Sequence, residues 1–355
     1  MTFDAPGRAE ELTELRGLAD DIFSATARAV LDVPDTEIPF SPTLWKTLAE
    51  SGLTLLTTPE SDGGSGATQA DLAVVIASAA AHAAPVPLAE TDLLASWLLR
   101  AAGLPVPDAP LTAAYDPSLV IDDHRVTASL DRVPWARAVD ALVLANDHSV
   151  ALVSAADLSI EPGTDLARDP RDRIVVDVEL APSAIGPAPH RVGREFMLRG
   201  ALGRSIQICG AIEQALELTI EHVGTRQQFG RPLGKFQAVQ SLVAESAGAV
   251  AMARAATEFA VSRVTEAGFE DERSGLAIAV AKAQTSRSAP IVARNAHQAH
   301  GAIGFTLDHR LRHFTLRALA WRSEFGGPQH WEHVLGEAAL RKSGAGLWNL
   351  VTGLT

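Results

Sequence analysis

The sequence has one cysteine among its 355 residues, Cys209, so no disulfide can form within the chain. This usage is typical of a reducing compartment, and we expect the protein in the cytoplasm. The sequence has no apolar run of about 20 residues, the length that a membrane-spanning helix needs. Residues 1–6 lack the charged segment and apolar core of a secretory signal, so none is predicted.

Basic tracts are missing as well. The formal net charge is −13, with 43 acidic residues against 30 lysines and arginines. Because nucleic acids and anionic membranes bind through clustered cations, we expect neither as a partner. With 47% hydrophobic residues the chain can bury a sizeable core, and its length predicts two or three subdomains.

The sequence pattern changes twice along the chain. Helical patterns over 1–103 give way to short β-branched runs over 104–189, and long helical patterns return over 190–355. The spacing of the β-branched runs favours a small antiparallel sheet or barrel, with strands at 118–121, 141–145, 150–154 and 174–180. Helices are predicted at 194–225, 237–267, 271–301, 306–323 and 328–342. The expected fold class is α+β.

The segment 225–237, TRQQFGRPLGKFQ, carries the most chemistry. A dinucleotide pyrophosphate needs a fixed positive charge, and the Arg226 guanidinium can bridge two phosphate oxygens. Phe229 is expected on the same helix-end face, where it can cover an adenosine. Gly230 is expected to end the helix, and Gln237 on the next helix can reach adenine or ribose hydroxyls.

A second segment, 298–305, reads QAHGAIGF. Its glycines allow the backbone to approach a phosphate without a blocking side chain. Together the two segments resemble the FAD-contacting signatures of the acyl-CoA dehydrogenase family, in which both serve the flavin of a neighbouring subunit. The positions that match residues touching the adenylate half of FAD are Arg226, Gln228, Phe229, Leu233, Phe236, Gln237, Gln298, Gly301 and Ala302. At Ala302 the family commonly has glycine.

The resemblance also implies an architecture. It predicts an N-terminal helical domain over 1–103, a middle β-sheet or barrel domain over 104–189, and a C-terminal domain resembling a four-helix bundle over 190–355. In members that carry out chemistry, two further loops donate hydrogen bonds to the isoalloxazine ring of the flavin. We find neither loop here.

The first missing loop is a Thr-Glu-Pro-x-Ala-Gly-Ser-Asp-like segment, and no glycine-acid loop of this kind lies between 111 and 121. The second is a Trp-Ile-Thr segment, whose positions are taken by Arg132, Val133 and Pro134. Because Pro134 has neither a hydroxyl nor a backbone N–H, that donor is absent. A gap of one or two residues would bring Trp135 into the segment instead.

The family reaction also needs a carboxylate that removes the proton next to the thioester carbonyl. At one family position for this base the chain has Phe325, and at the other it has Gly200, with Glu195 as the nearest acid. Glu324 lies one residue from the first position, which rotates its side chain by about 100° on a helix end. The favoured interpretation of Glu324 is a solvated or ion-paired acid beside Arg322, and no catalytic residue is assigned.

Histidines at 297, 300, 309 and 313 have spacings that allow metal ligation. No cysteine or Glu-x-x-His arrangement flanks them, and we predict no metal site.

Three functions remain open from the sequence. The first is the less complete subunit of a heteromeric actinobacterial acyl-CoA dehydrogenase, which gives the adenylate half of an FAD site to a paralogous partner in an α2β2 assembly. The resemblance implies an acyl-CoA substrate, with steroid-derived acyl groups included, and an electron-transfer acceptor. The second is a self-sufficient homo-oligomeric dehydrogenase with Glu324 as base. The third is a non-catalytic flavin-binding or structural protein of this fold.

Overall fold

The structure is a computed structural model that describes residues 7–31, 39–122 and 124–341. Contacts between residues divide the chain into two compact units. The helical unit comprises the described residues within 1–35, 69–84 and 201–355, and the sheet unit comprises those within 36–68 and 85–200. Each unit is described by itself.

Long alanine-rich helices form the core of the helical unit. Small side chains let these helices approach closely: a Cβ added at Gly210 would lie 2.2 Å from the Ala77 carbonyl oxygen of a neighbouring helix. Buried residues such as Ile212, Phe314 and Trp321 fill the space between the helices. The α-helices of the described residues are α1 (Arg8–Leu31), α2 (Pro42–Glu50), α3 (Gln69–Ala81), α4 (Trp97–Ala101), α5 (Val192–Thr225), α6 (Gln237–Ala267), α7 (Glu272–His300), α8 (Leu311–Trp321) and α9 (Pro328–Arg341).

Two four-stranded sheets lie in the sheet unit, and alternating apolar residues such as Val126, Leu142 and Val176 pack in its core. One sheet has the order β1-β4-β5-β8 and the other β2-β3-β7-β6. The strands are β1 (Leu111–Tyr115), β2 (Val120–Ile121), β3 (Arg125–Pro134), β4 (Ala141–Ala145), β5 (Ser149–Ser154), β6 (Ser159–Glu161), β7 (Arg171–Glu179) and β8 (Ile185–Pro187). A π-helix over Glu90–Ser96, buried throughout, precedes α4.

The α+β class and the order helix, strand, helix are confirmed. The predicted helices at 194–225, 237–267 and 271–301 match α5, α6 and α7 closely. The expected small antiparallel sheet or barrel differs from the structure in two respects: the described residues of the sheet unit form two sheets, and β1 pairs with β4 in parallel. Neither β1 nor β3 was predicted.

The helix predicted over 306–323 begins later, at Leu311, because the chain first makes a 3₁₀ turn over Gly301–Phe305. Residue 342, the expected end of the last helix, lies outside the described residues. The division into three domains stays a prediction. None of the helices in the described ranges combines the length and the hydropathy of a membrane-spanning segment.

Candidate functional site

The Arg226 segment is a hairpin rather than a helix end that stops at Gly230. Helix α5 ends at Thr225, and two short strands, β9 (Gln227–Gln228) and β10 (Arg231–Pro232), pair in antiparallel fashion. Phe229 and Gly230 form the connecting turn with φ of 51° and 78°. Two positive φ values match the twist of a two-residue hairpin, but phenylalanine rarely adopts one. The expectation that Gly230 ends the helix, with Phe229 on the helix-end face, was therefore wrong.

Phe229 projects from this turn with 90% of its surface exposed. Its ring meets Phe236 edge-on at 6.1 Å, and the Arg231 guanidinium lies 4.1 Å from the centre of the Phe236 ring. Leu233 is half-buried in a 3₁₀ turn, and its N–H donates to the Arg226 carbonyl at 2.8 Å. The hairpin thus presents an aromatic and cationic surface to solvent.

The segment that contains the hairpin has no acidic residue. No aspartate or glutamate occurs between His222 and Ala244, while Arg226, Arg231 and Lys235 all do. The Arg226 side chain is exposed and makes no salt bridge within the described part of the chain. In a protein with a net charge of −13, an unpaired cation of this kind is a ready site for an anion. The side chains of Gln228 and Gln237 are exposed beside it.

The second motif begins where α7 ends. Gly301 has φ 66° and ψ −145°, a conformation that favours glycine, and its N–H donates to the His297 carbonyl. Gln298, Gly301 and Ala302 are all exposed. Gly304 is buried, and a Cβ there would lie 2.8 Å from the His300 Cβ. The turn is therefore packed against the protein at Gly304 and exposed to solvent at Gly301 and Ala302.

A ring contact brings the two motifs together. The imidazole of His222, on the last turn of α5, stacks on that of His300 with 4.4 Å between ring centroids. The Arg226 N–H donates to the His222 carbonyl at 2.9 Å, and His300 directly precedes Gly301. The sequence did not single out His222, although its position one helical turn before Arg226 was a usable signal. No group of three or more His, Cys, Asp or Glu side chains in the described ranges could hold a metal ion.

The turn after α8 holds the residue at the family's base position. Glu324 lies there with 14% of its side chain exposed, and its carboxylate accepts from Arg204 Nε at 2.7 Å. Glu324 is thus ion-paired, and its partner is Arg204 on α5. Phe325, at the base position itself, has φ 50°, and its ring centre lies 5.5 Å from the Arg204 guanidinium. Glu324 is therefore bound to an arginine, and Phe325 has no carboxylate.

Gly326 continues this turn with φ 87°, and the Trp331 indole N–H donates to the carbonyls of Phe325 and Gly326 at 3.0 and 3.2 Å. A Cβ at position 326 would lie 2.6 Å from the Trp331 Nε1. We therefore expect Gly326→Ala to lower the free energy of unfolding by about 1–3 kcal/mol, as measured by urea denaturation. Gly327→Ala is the matched control, because nothing lies within 4 Å of a Cβ there. Equal losses for both variants would contradict this account of the turn.

The Lys282 side chain stabilises the same turn. It is fully buried, and its ammonium donates to the carbonyls of Trp321 and Arg322 at 3.2 and 2.8 Å. Burial, with a smaller contribution from the Arg204 charge, lowers the pKa of Lys282 from 10.5 to about 7.

This pKa predicts a pH dependence of stability. Between pH 7 and 10.5 the unfolded chain holds more protons at Lys282 than the folded chain. Its contribution to the free energy of unfolding therefore falls as pH drops through this window and rises as pH increases, by up to about 1.4 kcal/mol per pH unit. Urea unfolding at pH 7, 8 and 9 should show stability increasing relative to Lys282→Met. Parallel pH curves for the two proteins would show that Lys282 stays charged.

The sheet unit has a tight turn at the position of the first missing loop, the one that would contact the isoalloxazine ring. Strand β1 ends at Tyr115 and β2 begins at Val120, which leaves only residues 116–119 between them. The Asp116 carboxylate accepts from the Ser118 N–H and hydroxyl at 2.8 and 2.6 Å, and the Leu119 N–H donates to the Asp116 carbonyl. The donors of Ser118 and Leu119 are thus used within the turn itself, and the Asp116 N–H donates to the Ala145 carbonyl of β4 at 3.1 Å.

The second segment that would contact the isoalloxazine ring is Arg132–Pro134, with Trp135 directly after it. A β-bulge in β3 lies between Leu130 and Val133, and Arg132 and Trp135 have φ of 61° and 59°. Trp135 is buried, and its backbone N–H donates to the Pro170 carbonyl at 3.3 Å. Since Pro134 has no N–H, neither residue offers a free backbone donor.

Glu195, the acid nearest the second base position, is paired too. Its carboxylate accepts from Arg199 at 2.8 Å, and the Arg199 guanidinium lies over the Trp97 ring at 4.5 Å. Burial lowers the pKa of Arg199 to about 10, and it raises the pKa of the nearby buried carboxyl of Asp92. Both acids near the family's base positions are thus bound to arginines.

Two sequence profiles match the chain. That of the acyl-CoA dehydrogenase C-terminal domain matches residues 191–330, and that of the N-terminal domain matches 9–105. The acyl-CoA dehydrogenase IpdE2 of Mycobacterium tuberculosis is 30% identical over 286 residues, which cover 79% of this chain and 81% of that protein. The chain belongs to the acyl-CoA dehydrogenase family.

Solved structures similar to this acyl-CoA dehydrogenase include two complexes. The ChsE4–ChsE5 complex of Mycobacterium tuberculosis has a TM-score of 0.81 and 23% identity, over 94% of this chain and 98% of the other. A variant of the Tcur3481–Tcur3483 steroid ACAD has the same TM-score and 26% identity, with the same coverage. The first of these shows the fold alone.

Family membership makes the protein an oxidoreductase with FAD as its cofactor. The surface of the helical unit fits the adenylate half of FAD, because it offers an unpaired guanidinium, an exposed aromatic ring and a glycine turn open to solvent. The two segments of this acyl-CoA dehydrogenase that would contact the isoalloxazine ring, 116–119 and 132–135, do not fit it in the same way. Their hydrogen-bond donors are already paired or missing.

Proposed function

We propose that this chain is the less complete subunit of a heteromeric acyl-CoA dehydrogenase. It contributes the adenylate half of an FAD site, through Arg226, Phe229 and the Gly301 turn, to a paralogous partner. The partner supplies the isoalloxazine loops and the catalytic carboxylate. A flavin held there would supply the acceptor for the hydride that leaves the β-carbon of the acyl-CoA.

The observation that carries the proposal is a contrast between two sets of residues. The Arg226 guanidinium is exposed and has no acidic partner in the described chain, so it is available to a diphosphate. The acids at or near the base positions, Glu324 and Glu195, are both bound to arginines. The residues for holding a nucleotide are thus available, while those for removing a proton are not.

The kind of substrate rests on the comparisons. One similar structure is that of a steroid ACAD, and two similar structures are complexes of two different proteins. We accordingly propose a cytoplasmic α2β2 assembly that dehydrogenates a bulky, steroid-derived acyl-CoA and passes electrons to an electron-transfer acceptor.

The test is purification of the chain alone and with a paralogue whose sequence carries an intact Thr-Glu loop and base. Alone, the chain should be colourless and inactive with an acyl-CoA and a dye. Together, the two should form a yellow, active complex with fewer flavins than chains. A yellow, active protein from this chain alone would establish the self-sufficient alternative, and a colourless, inactive mixture would support the structural one.

A further inference from the structure

Three imidazoles form a continuous group beside the Gly301 turn. His222 stacks on His300 with 4.4 Å between centroids and 22° between ring planes, and His309 meets His300 edge-on at 4.7 Å. We call His222, His300 and His309 the imidazole column. It joins the end of α5, the end of α7 and the segment that leads into α8.

The central ring of the column has a defined tautomer. A carbonyl oxygen can only accept, so His300 Nδ1 carries a hydrogen and donates it to the Ala296 carbonyl at 2.7 Å. In the neutral ring Nε2 is then unprotonated, and it is buried without a hydrogen bond of normal geometry among the described residues, although the Leu218 backbone acts on the ring and raises its pKa. The ring is thus fixed by one hydrogen bond and by its contacts with the other two rings.

The surroundings keep the column neutral. Burial is the largest influence on all three rings and lowers their pKa values, and the nearby charges of Arg226, Arg310 and His297 act in the same direction. The backbone of Ala296 and of Leu218 opposes this at His300, with a smaller effect that raises its pKa. No carboxylate contributes to these shifts, so no acid stabilises an imidazolium here. Stacked neutral rings attract one another through their faces and edges, as other aromatic pairs do.

We propose that His222 is the positioning residue of the nucleotide site: its ring, stacked on His300, holds the Gly301 turn against the Arg226 end of α5. This inference rests on the proposed function, because it deepens the account of the same site. His222 does not need to touch the cofactor. It fixes the relative placement of two motifs that act on one diphosphate.

The geometry explains why His222 is the residue that positions the Gly301 turn. Gly301 has no side chain of its own, and nothing lies within 4 Å of a Cβ built there, so its place is set by its neighbours. His300, the residue before it, is 5% exposed and touches His222 directly. The backbone of His222 in turn accepts the Arg226 N–H. One residue is therefore linked to both motifs.

The test compares two substitutions at position 222 in the full chain assembled with its paralogue. His222→Phe keeps a flat ring for stacking, whereas His222→Leu keeps apolar volume without one. FAD affinity, measured by flavin fluorescence titration, should fall roughly 3- to 10-fold in His222→Leu and change by less than about 2-fold in His222→Phe. His333→Leu, on the exposed side of α9, is the matched control and should bind FAD normally.

A second measurement does not depend on the cofactor. Without FAD, amide hydrogen exchange over 301–309 should speed up in His222→Leu but not in His222→Phe or Arg226→Ala. Unchanged exchange and affinity in His222→Leu would overturn the inference, as would equal losses in the leucine and phenylalanine variants. If Arg226→Ala binds FAD normally, the proposed function fails instead, and hydrogen exchange alone then decides whether His222 positions the turn.

Discussion

Replacing Arg226 with alanine should lower the affinity of the assembled enzyme for FAD by roughly 10- to 100-fold. The guanidinium is exposed and free of acidic partners within the described residues, so its hydrogen bonds are available to the cofactor. A charge-assisted hydrogen bond contributes about 1.5–3 kcal/mol, which corresponds to this range. Flavin fluorescence titration of the complex measures the change directly.

The controls for Arg226 separate charge from geometry. Arg226→Lys keeps the positive charge but loses the planar fork, so its affinity should lie between those of the wild type and the alanine variant. Arg287→Ala removes an exposed arginine that is paired with Glu332 on the surface, and it should leave FAD affinity unchanged. Normal flavin content in Arg226→Ala would refute the assignment of this hairpin to the cofactor.

The second large effect is expected at the ion pair beneath the Phe325 turn. Arg204 is 2% exposed, and its guanidinium contacts both Glu324 and Gln207, at 2.7 and 2.5 Å. Arg204→Met would leave the Glu324 carboxylate largely buried without this partner, so we expect the free energy of unfolding to fall by about 3–5 kcal/mol. Urea denaturation of the single variants and of Arg204→Met with Glu324→Gln forms a double-mutant cycle.

In that cycle the double variant should be more stable than Arg204→Met alone, because the largely buried carboxylate charge is then absent as well. Glu324→Gln by itself should leave turnover by the complex nearly unchanged, since the carboxylate serves the arginine. Loss of turnover in Glu324→Gln with flavin still bound would identify Glu324 as the base and favour the self-sufficient enzyme.

The sequence predicted the long helices well because their signal is local. Helix α6 was expected over 237–267 and spans Gln237–Ala267, since an apolar period sustained over eight turns outweighs single residues. Strand β1 was missed for the opposite reason. It has only five residues, three of them Thr or Ala, and it pairs in parallel with β4, which begins at Ala141.

The two motif segments could be selected from the sequence, but their conformation could not. A hairpin turn with two positive φ values usually has asparagine or glycine at its first position, and Phe229 gives the reverse signal. The partner of Glu324 is 120 residues away in the sequence, and the stacking of His222 on His300 joins different helices. Such pairings follow from tertiary packing, which no local pattern encodes.

The distribution of acids has a kinetic consequence. No aspartate or glutamate occurs in 222–244 or in 273–307, so the protein's excess of negative charge is carried by the rest of the chain. A dianionic nucleotide is therefore repelled by most of the molecular surface and attracted towards one region of it. Its capture rate should consequently fall as ionic strength rises, well before any change in the folded structure.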